Sequence, residues 1–301
     1  MRIAVPDLVS NSYFPVIAAT RLGAFEARGV PMSVEHISPL PACVQALRDG
    51  TIDFIGASAH APLLAFPDWQ GVRLVCAQSQ GTYWFLVMRA DLGIARGDLA
   101  ALRGRHIAAV PFVGAALRRL LIEAGLDPQA QGIDIMVPPG ALGPGVNFGV
   151  AAAEALRRGD IDGFFANGMG AELAVREGIG TLVIDVRRGD GPAAAFSYTM
   201  PAVATTERMI LERPEVVRAV RDAIIDTHAA LKRDRALAAR AVEGLFPPLE
   251  ASLIDTLVMR DLPYYDVALS RPFVLAMNRY AFEVGMLSRP EFEHDAVVAS
   301  L

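Results

Sequence analysis

The chain has 301 residues, 53% of them hydrophobic and 20% charged, with a net charge of −5. That length and apolar content supply core for two ordinary domains and argue against a disordered or low-complexity protein. The acidic balance, with Arg and Lys scattered and no basic stripe, argues against a nucleic-acid partner.

In chain order, Arg2 to Pro6 reads as a short apolar strand, and the spacing of Ile17, Arg21 and Phe25 before Gly29 predicts a helix over Tyr13 to Arg28. "MSVEHI" alternates as a strand, a helix runs from about Pro41 to Arg48, and "TIDFIGAS" follows as a buried strand. From Arg105 the programme restarts: strand "RHIAAVP", helix "GAALRRLLIEAG", strand "IDIMVPP", helix "NFGVAAAEALRRG", strand "DIDGFFAN". Each β-α-β-α-β run implies parallel strands joined by right-handed crossovers.

The two runs also echo each other in sequence. "RIAVP" is matched by "HIAAVP", and "ALRDGTIDFIGASAH" (Ala46 to His60) by "ALRRGDIDGFFANG" (Ala155 to Gly168), in the same order and at similar offsets. A duplicated architecture accounts for this better than the general likeness of β-α-β units. Between the halves, "LVCAQSQGTYWFLVMRAD" reads as two strands around a polar turn; "TLVIDVRRGDGPAAAFSYTM" leads back out, and after Pro201 the chain reads as mostly helical. The expected organisation is lobe one from 1–89 plus 200–301 and lobe two from 90–199, with two crossings serving as a hinge.

Cys43 and Cys76 lie in apolar surroundings without CxxC spacing, and the five histidines form no HxxxH or HExxH pair, so neither a metal nor any other cofactor is expected. No apolar stretch reaches the roughly 20 residues of a membrane span, so no membrane insertion is expected. "MRIAVPDLVS" begins a strand at once, without the features of a signal peptide. As written, the expected location is cytoplasmic, or periplasmic if a native signal lies upstream of Met1.

Several stretches resemble a known family. "YFPVIAATRLGAFEARGV", "ALRDGTIDFIGAS", "ERPEVVRAVRDAI" and "NRYAFEVGML" are similar to the first helix, third strand and C-terminal helices of the type II periplasmic-binding-protein fold, in its nitrate, sulfonate and thiamin-pyrimidine branch. The resemblance covers nearly the whole chain and implies an α/β, two-lobed fold of mostly parallel sheets flanked by helices. That branch includes solute-binding subunits of ABC importers and a few cytosolic enzymes. The yeast-type synthase of the thiamin pyrimidine carries cysteines around one Phe before re-entering lobe one; here "AAAFSY" keeps the Phe and has no cysteine, so iron chemistry through that motif is not expected.

In parallel sheets, ligands sit outside the carboxyl ends of the strands. In lobe one those ends offer Ser10, Asn11, Ser12 and Tyr13, then Ser58 and His60, with Gln78, Tyr83 and Trp84 in the central turn; lobe two offers Phe112, Gly114, Ala115, Asn147 and Asn167, and Tyr198 sits at the return crossing. Ser10 to Ser12 precede a helix, where such residues either cap or help to seat an anion. Gly114 and Ala115, placed at a helix start, are expected to leave backbone N–H groups open to an anion. His60 is either a hydrogen-bonded wall residue, a ligand contact, or an acid/base with Asp68 or Glu172 as partner. Asn167, standing where the echo has Ser58, is expected to face it across the cleft.

Aromatic residues gather at these ends although they are 7% of the chain, and few Arg are evident there beyond Arg89 and Arg187 near the crossings. Both features favour a small flat or amphipathic organic ligand, such as a pyrimidine, an aryl acid or a sulfonate, over a bare oxyanion. Two functions follow. One is a small-molecule binding protein of ABC-importer type, partnered by a permease if exported; the other is a cytosolic enzyme of synthase, decarboxylase or hydrolase type using His60.

Overall fold

The computed structural model describes residues 1–8, 11–138, 140–142, 146–246 and 248–301. They form two compact units, Met1–Gly81 with Thr199–Leu301, and Thr82–Tyr198.

The chain opens with β1 (Arg2–Val5), α1 (Phe14–Arg21), α2 (Ala24–Ala27), β2 (Ser33–His36), α3 (Leu40–Arg48), β3 (Phe54–Ser58) and β4 (Val72–Ala77). The second unit contributes β5 (Phe85–Arg89), β6 (His106–Ala108), α4 (Pro111–Glu123), β7 (Asp134–Met136), α5 (Phe148–Arg158), β8 (Gly163–Ala166), α6 (Gly168–Arg176) and β9 (Gly180–Asp185). Back in the first unit come β10 (Pro201–Thr206), α7 (Glu207–Glu212), α8 (Pro214–Arg233), α9 (Ala236–Val242), α10 (Pro248–Asp261) and α11 (Arg271–Glu283).

Each unit holds a five-stranded sheet, ordered β2-β1-β3-β10-β4 in the first and β7-β6-β8-β5-β9 in the second. The orders correspond strand for strand. β1 runs parallel to β2 and β3, as β6 does to β7 and β8. The fourth strand is the antiparallel one in both, β10 or β5, and in both it carries a register irregularity, at Val203/Ala204 and Leu86/Val87.

The repeated "ID" has a physical basis. Asp53 donates its N–H to the Arg2 carbonyl at 2.9 Å, and its carboxylate accepts the Arg2 N–H at 2.7 Å. Asp162 holds His106 in the same way, with both distances 2.9 Å. Each aspartate thus anchors the first residue of the neighbouring parallel strand and so sets its register.

Three expectations need correction. The helix over Tyr13 to Arg28 is broken in two, because Gly23 takes φ of +76° between α1 and α2. The stretch after Pro201 begins with a strand, β10, before any helix. Its proline stands at the first strand position, where no ladder donor is needed, and its Val and Thr suit a pleated sheet. Finally β5, assigned to lobe one by the 1–89 boundary, pairs with β8 and β9 in the second sheet, so the chain enters the second unit at Thr82.

Helix packing positions the first strand's carboxyl end. Phe14 and Ala18 of α1 pack with Leu231 of α8, Ala238 of α9 and Ile254 and Val258 of α10. Burying that face against three helices fixes where the turn before α1 lies.

Candidate functional site

Asn11–Tyr13 form a 3-10 turn leading into α1, whose N-cap is Tyr13 without a side-chain capping bond. Ser10, read with Ser12 as either a cap or part of an anion seat, lies outside the described residues. Asn11 and Ser12 are each 2% exposed and Tyr13 is buried beside them. The Asn11 Nδ2 donates to Oδ2 of Asp261, a buried carboxylate at the end of α10. Asn11 Oδ1 is left buried with no hydrogen-bond partner among the described residues.

Gln78 directly follows β4 and is fully buried. Its Nε2 donates to the Ala202 carbonyl of β10 at 3.1 Å, while Oε1 is buried without a partner among the described residues. Gly56 of β3 makes room for this side chain: a Cβ there would meet Gln78 Nε2 and Val16 at 3.2 Å each. The Gln78 amide and Val16 of α1 therefore both border the space over Gly56. Asp261, remote in sequence, was missed by sequence reasoning, since only tertiary packing brings the end of α10 to Asn11.

Ser58, the last residue of β3, is buried opposite Pro201. His60 is fully buried, with Nδ1 at 2.7 Å from Thr199 Oγ1 and its ring edge-on to Tyr280, centroids 5.4 Å apart. Burial pushes its pKa down to about 3. At neutral pH such an imidazole has no proton to give as an acid and is too weak a base to take one efficiently. The two carboxylates considered as its partners have other bonds: Asp68 accepts from Ser288 N and Oγ at 2.9 and 2.7 Å, and Glu172 from Arg176 Nε at 2.7 Å. His60 is a buried, neutral histidine hydrogen-bonded within the first unit.

The second unit presents different chemistry. Trp84 lies 5.4 Å from Tyr83, 6.4 Å from Phe112 and 6.0 Å from Phe165, ring centroid to ring centroid. The Arg187 guanidinium, 6% exposed, stands 5.8 Å from the Tyr83 centroid. Arg187 follows β9 and belongs to this aromatic group; its sequence neighbourhood read only as a crossing. Tyr198, 3% exposed, ends the unit just after a 3-10 turn, Ala193–Ser197.

Gly114 and Ala115 do not start a helix, which is a further correction. α4 begins at Pro111, and the Gly114 N–H already donates to the Val110 carbonyl at 2.7 Å. A Cβ on Gly114 would meet Ile135 at 3.3 Å, so this glycine serves packing. Asn147 caps α5 by accepting from Val150 N at 3.0 Å, and Asn167 caps α6 by accepting from Met169 N at 3.2 Å. The two caps are neighbours because α5 and α6 touch through glycine: a Cβ on Gly170 would sit 2.3 Å from the Gly149 carbonyl oxygen.

Neither of two surface hollows coincides with these groups. The one in the first unit, of about 360 Å³, is lined by Arg21, Arg233, Arg240, Asp226, Thr227 and apolar neighbours on α1, α2, α8 and α9. Its arginines lie at helix C-termini, and Arg21 bonds the Ala241 and Glu243 carbonyls, so helix termination explains them. The other, about 350 Å³, lies around Arg89, Asp91 and Arg157. Cys43 and Cys76 are buried, and burial pushes both thiols up to about 12. Among the described residues no cluster of three or more His, Cys, Asp or Glu could hold a metal, and no helix is long and apolar enough to cross a membrane.

No protein-family model matches the chain, and neither does any curated protein sequence. Its fold is nevertheless that of solved solute-binding proteins. The alkanesulfonate-binding protein SsuA from Xanthomonas axonopodis pv. citri, bound to MOPS, superposes with a TM-score of 0.71 at 18% identity, covering 99% of this chain and 97% of that one. The periplasmic aliphatic sulphonate binding protein SsuA from Escherichia coli gives 0.74 at 15% identity over 96% and 94%. The desulfurization enzyme DSZB gives 0.66 at 15% identity over 99% and 96%. The chain therefore has the periplasmic-binding-protein type of α/β fold, two mixed five-stranded sheets flanked by helices.

Proposed function

We propose that this protein binds a small, flat or amphipathic organic molecule through groups at the ends of its strands. The observation that carries this reading is the contrast between what those groups can and cannot do. Buried amides, hydroxyls and a ring cluster are suited to enclosing a molecule, whereas the one histidine among them is pushed down to about 3 by burial and stays neutral. The likeness to sulfonate-binding proteins supports a carrier role, and we take an ABC permease as the partner and the periplasm as the working compartment on the same ground. On this reading Asn11, Ser12, Ser58 and Gln78 give the first unit groups suited to a polar edge, and the Trp84 cluster gives the second unit a surface suited to a ring.

The test is a thermal-shift and calorimetric panel of aminopyrimidines, aryl acids and sulfonates, with product analysis by NMR. Tight binding without turnover is the expected result, and Trp84→Ala should weaken it at least tenfold. Conversion of a bound compound that stops in His60→Asn would replace this reading by that of an enzyme, as DSZB is by its description.

A further inference from the structure

Resting on that reading, the first unit says which kind of molecule it takes: we propose that the ligand carries N–H or O–H donors, which the Asn11 and Gln78 side-chain oxygens accept.

The orientation of both amides is set by what their nitrogens do. Asn11 Nδ2 faces the Asp261 carboxylate and Gln78 Nε2 faces the Ala202 carbonyl, and only a donor can stand opposite those oxygens. The atoms left over are therefore acceptors. Asn11 Oδ1 and Gln78 Oε1 are buried without a hydrogen-bond partner among the described residues, on residues that are 2% and 0% exposed. Each buried polar atom left unpaired forfeits its hydration, so two acceptors near the strand ends of one sheet are suited to a bound donor.

The two are not scattered. Gln78 and Val16 of α1 both border the space over Gly56, each 3.2 Å from where a Cβ would stand, and Asn11 lies in the turn that leads into the same helix. A nitrate or an aliphatic sulfonate presents only acceptor oxygens, which would meet these oxygens lone pair to lone pair. An aromatic amine, a hydroxylated ring or an amino-substituted heterocycle presents what they lack. The site thus departs from the ligands of its sulfonate-binding structural neighbours, although the fold is the same.

Matched pairs test this on the full chain by calorimetry. The pairs are 4-amino-2-methylpyrimidine against 2,4-dimethylpyrimidine, and 4-aminobenzenesulfonate against 4-methylbenzenesulfonate, with nitrate and methanesulfonate alongside. The donor-bearing member should bind at least tenfold tighter in each pair that binds, and Gln78→Met should shrink that ratio towards one. Equal affinities within the pairs, or tighter binding of nitrate or methanesulfonate, would overturn the inference while leaving a binding protein. Silence of every probe would instead overturn the binding reading, and this inference with it. Should Gln78→Met fail to fold, the wild-type ratios alone decide.

Discussion

The two units share a strand order and differ in what stands at the strand ends. The first ends in amides, hydroxyls and a neutral imidazole; the second ends in rings and a guanidinium. One pair of aligned positions explains much of this. Where β3 has Gly56, the echoed β8 has Phe165. Gly56 leaves space that the Gln78 amide fills, whereas Phe165 occupies its own space and packs 6.0 Å from Trp84. Within one scaffold a single side chain above the sheet selects a polar or an aromatic surface.

The strongest way to break the comparison is through the backbone. Gly170→Ala places a Cβ 2.3 Å from a carbonyl oxygen, which no rotamer relieves, and should cost about 3 kcal/mol or more in urea unfolding. Gly56→Ala meets side chains at 3.2 and 3.3 Å that can shift, and should cost about 1 kcal/mol while displacing Gln78. Equal costs would show that the two units do not differ in tolerance as argued. Trp84→Ala, which removes the centre of the ring cluster, should cost about 3 kcal/mol and leave the first unit folded by NMR.

Acid sharpens the contrast. His60 and His228, both in the first unit, are pushed by burial to about 3 and about 4. The unfolded chain takes up these protons near pH 6.5 and the folded one does not. Stability is therefore complete above about 6.5 and is lost as pH falls towards the folded values, by roughly 2 kcal/mol per histidine at pH 5. Urea midpoints measured from pH 7.5 to 5 should fall steeply, and less so in His228→Gln. A flat profile in the wild type would contradict neutral burial. The smallest expected effect is a shared one: Asp53→Asn and Asp162→Asn should each cost about 1 kcal/mol, because both carboxylates anchor a strand in the same way. Unequal losses would show that the echoed aspartates are not equivalent.

Much of this architecture was legible in the sequence. The Asp-bearing echoes sit on corresponding strands because their aspartates do the same job, and the strand-end reading put Gln78 beside β4 and Trp84 beside β5, where the structure has them. What stayed hidden depends on distance along the chain. β10 and β5 complete sheets whose other strands are remote or antiparallel to them, so no local period announces which sheet they join. Asp261 meets Asn11 only through helix packing. The Gly114 expectation failed for a smaller reason: Pro111 can open a helix at its first turn, and reading the helix from the glycine misplaced its free N–H groups by three residues.

The deep burial of Cys43 and Cys76 has a practical consequence. With both thiols held up to about 12, neither competes for a thiol-specific dye at neutral pH. A cysteine introduced at Leu211, 81% exposed on the first unit, and another at Ile122, 52% exposed on the second, would carry a donor and an acceptor fluorophore without removal of either native cysteine. Energy transfer between them would report directly whether the two units approach each other when a molecule binds.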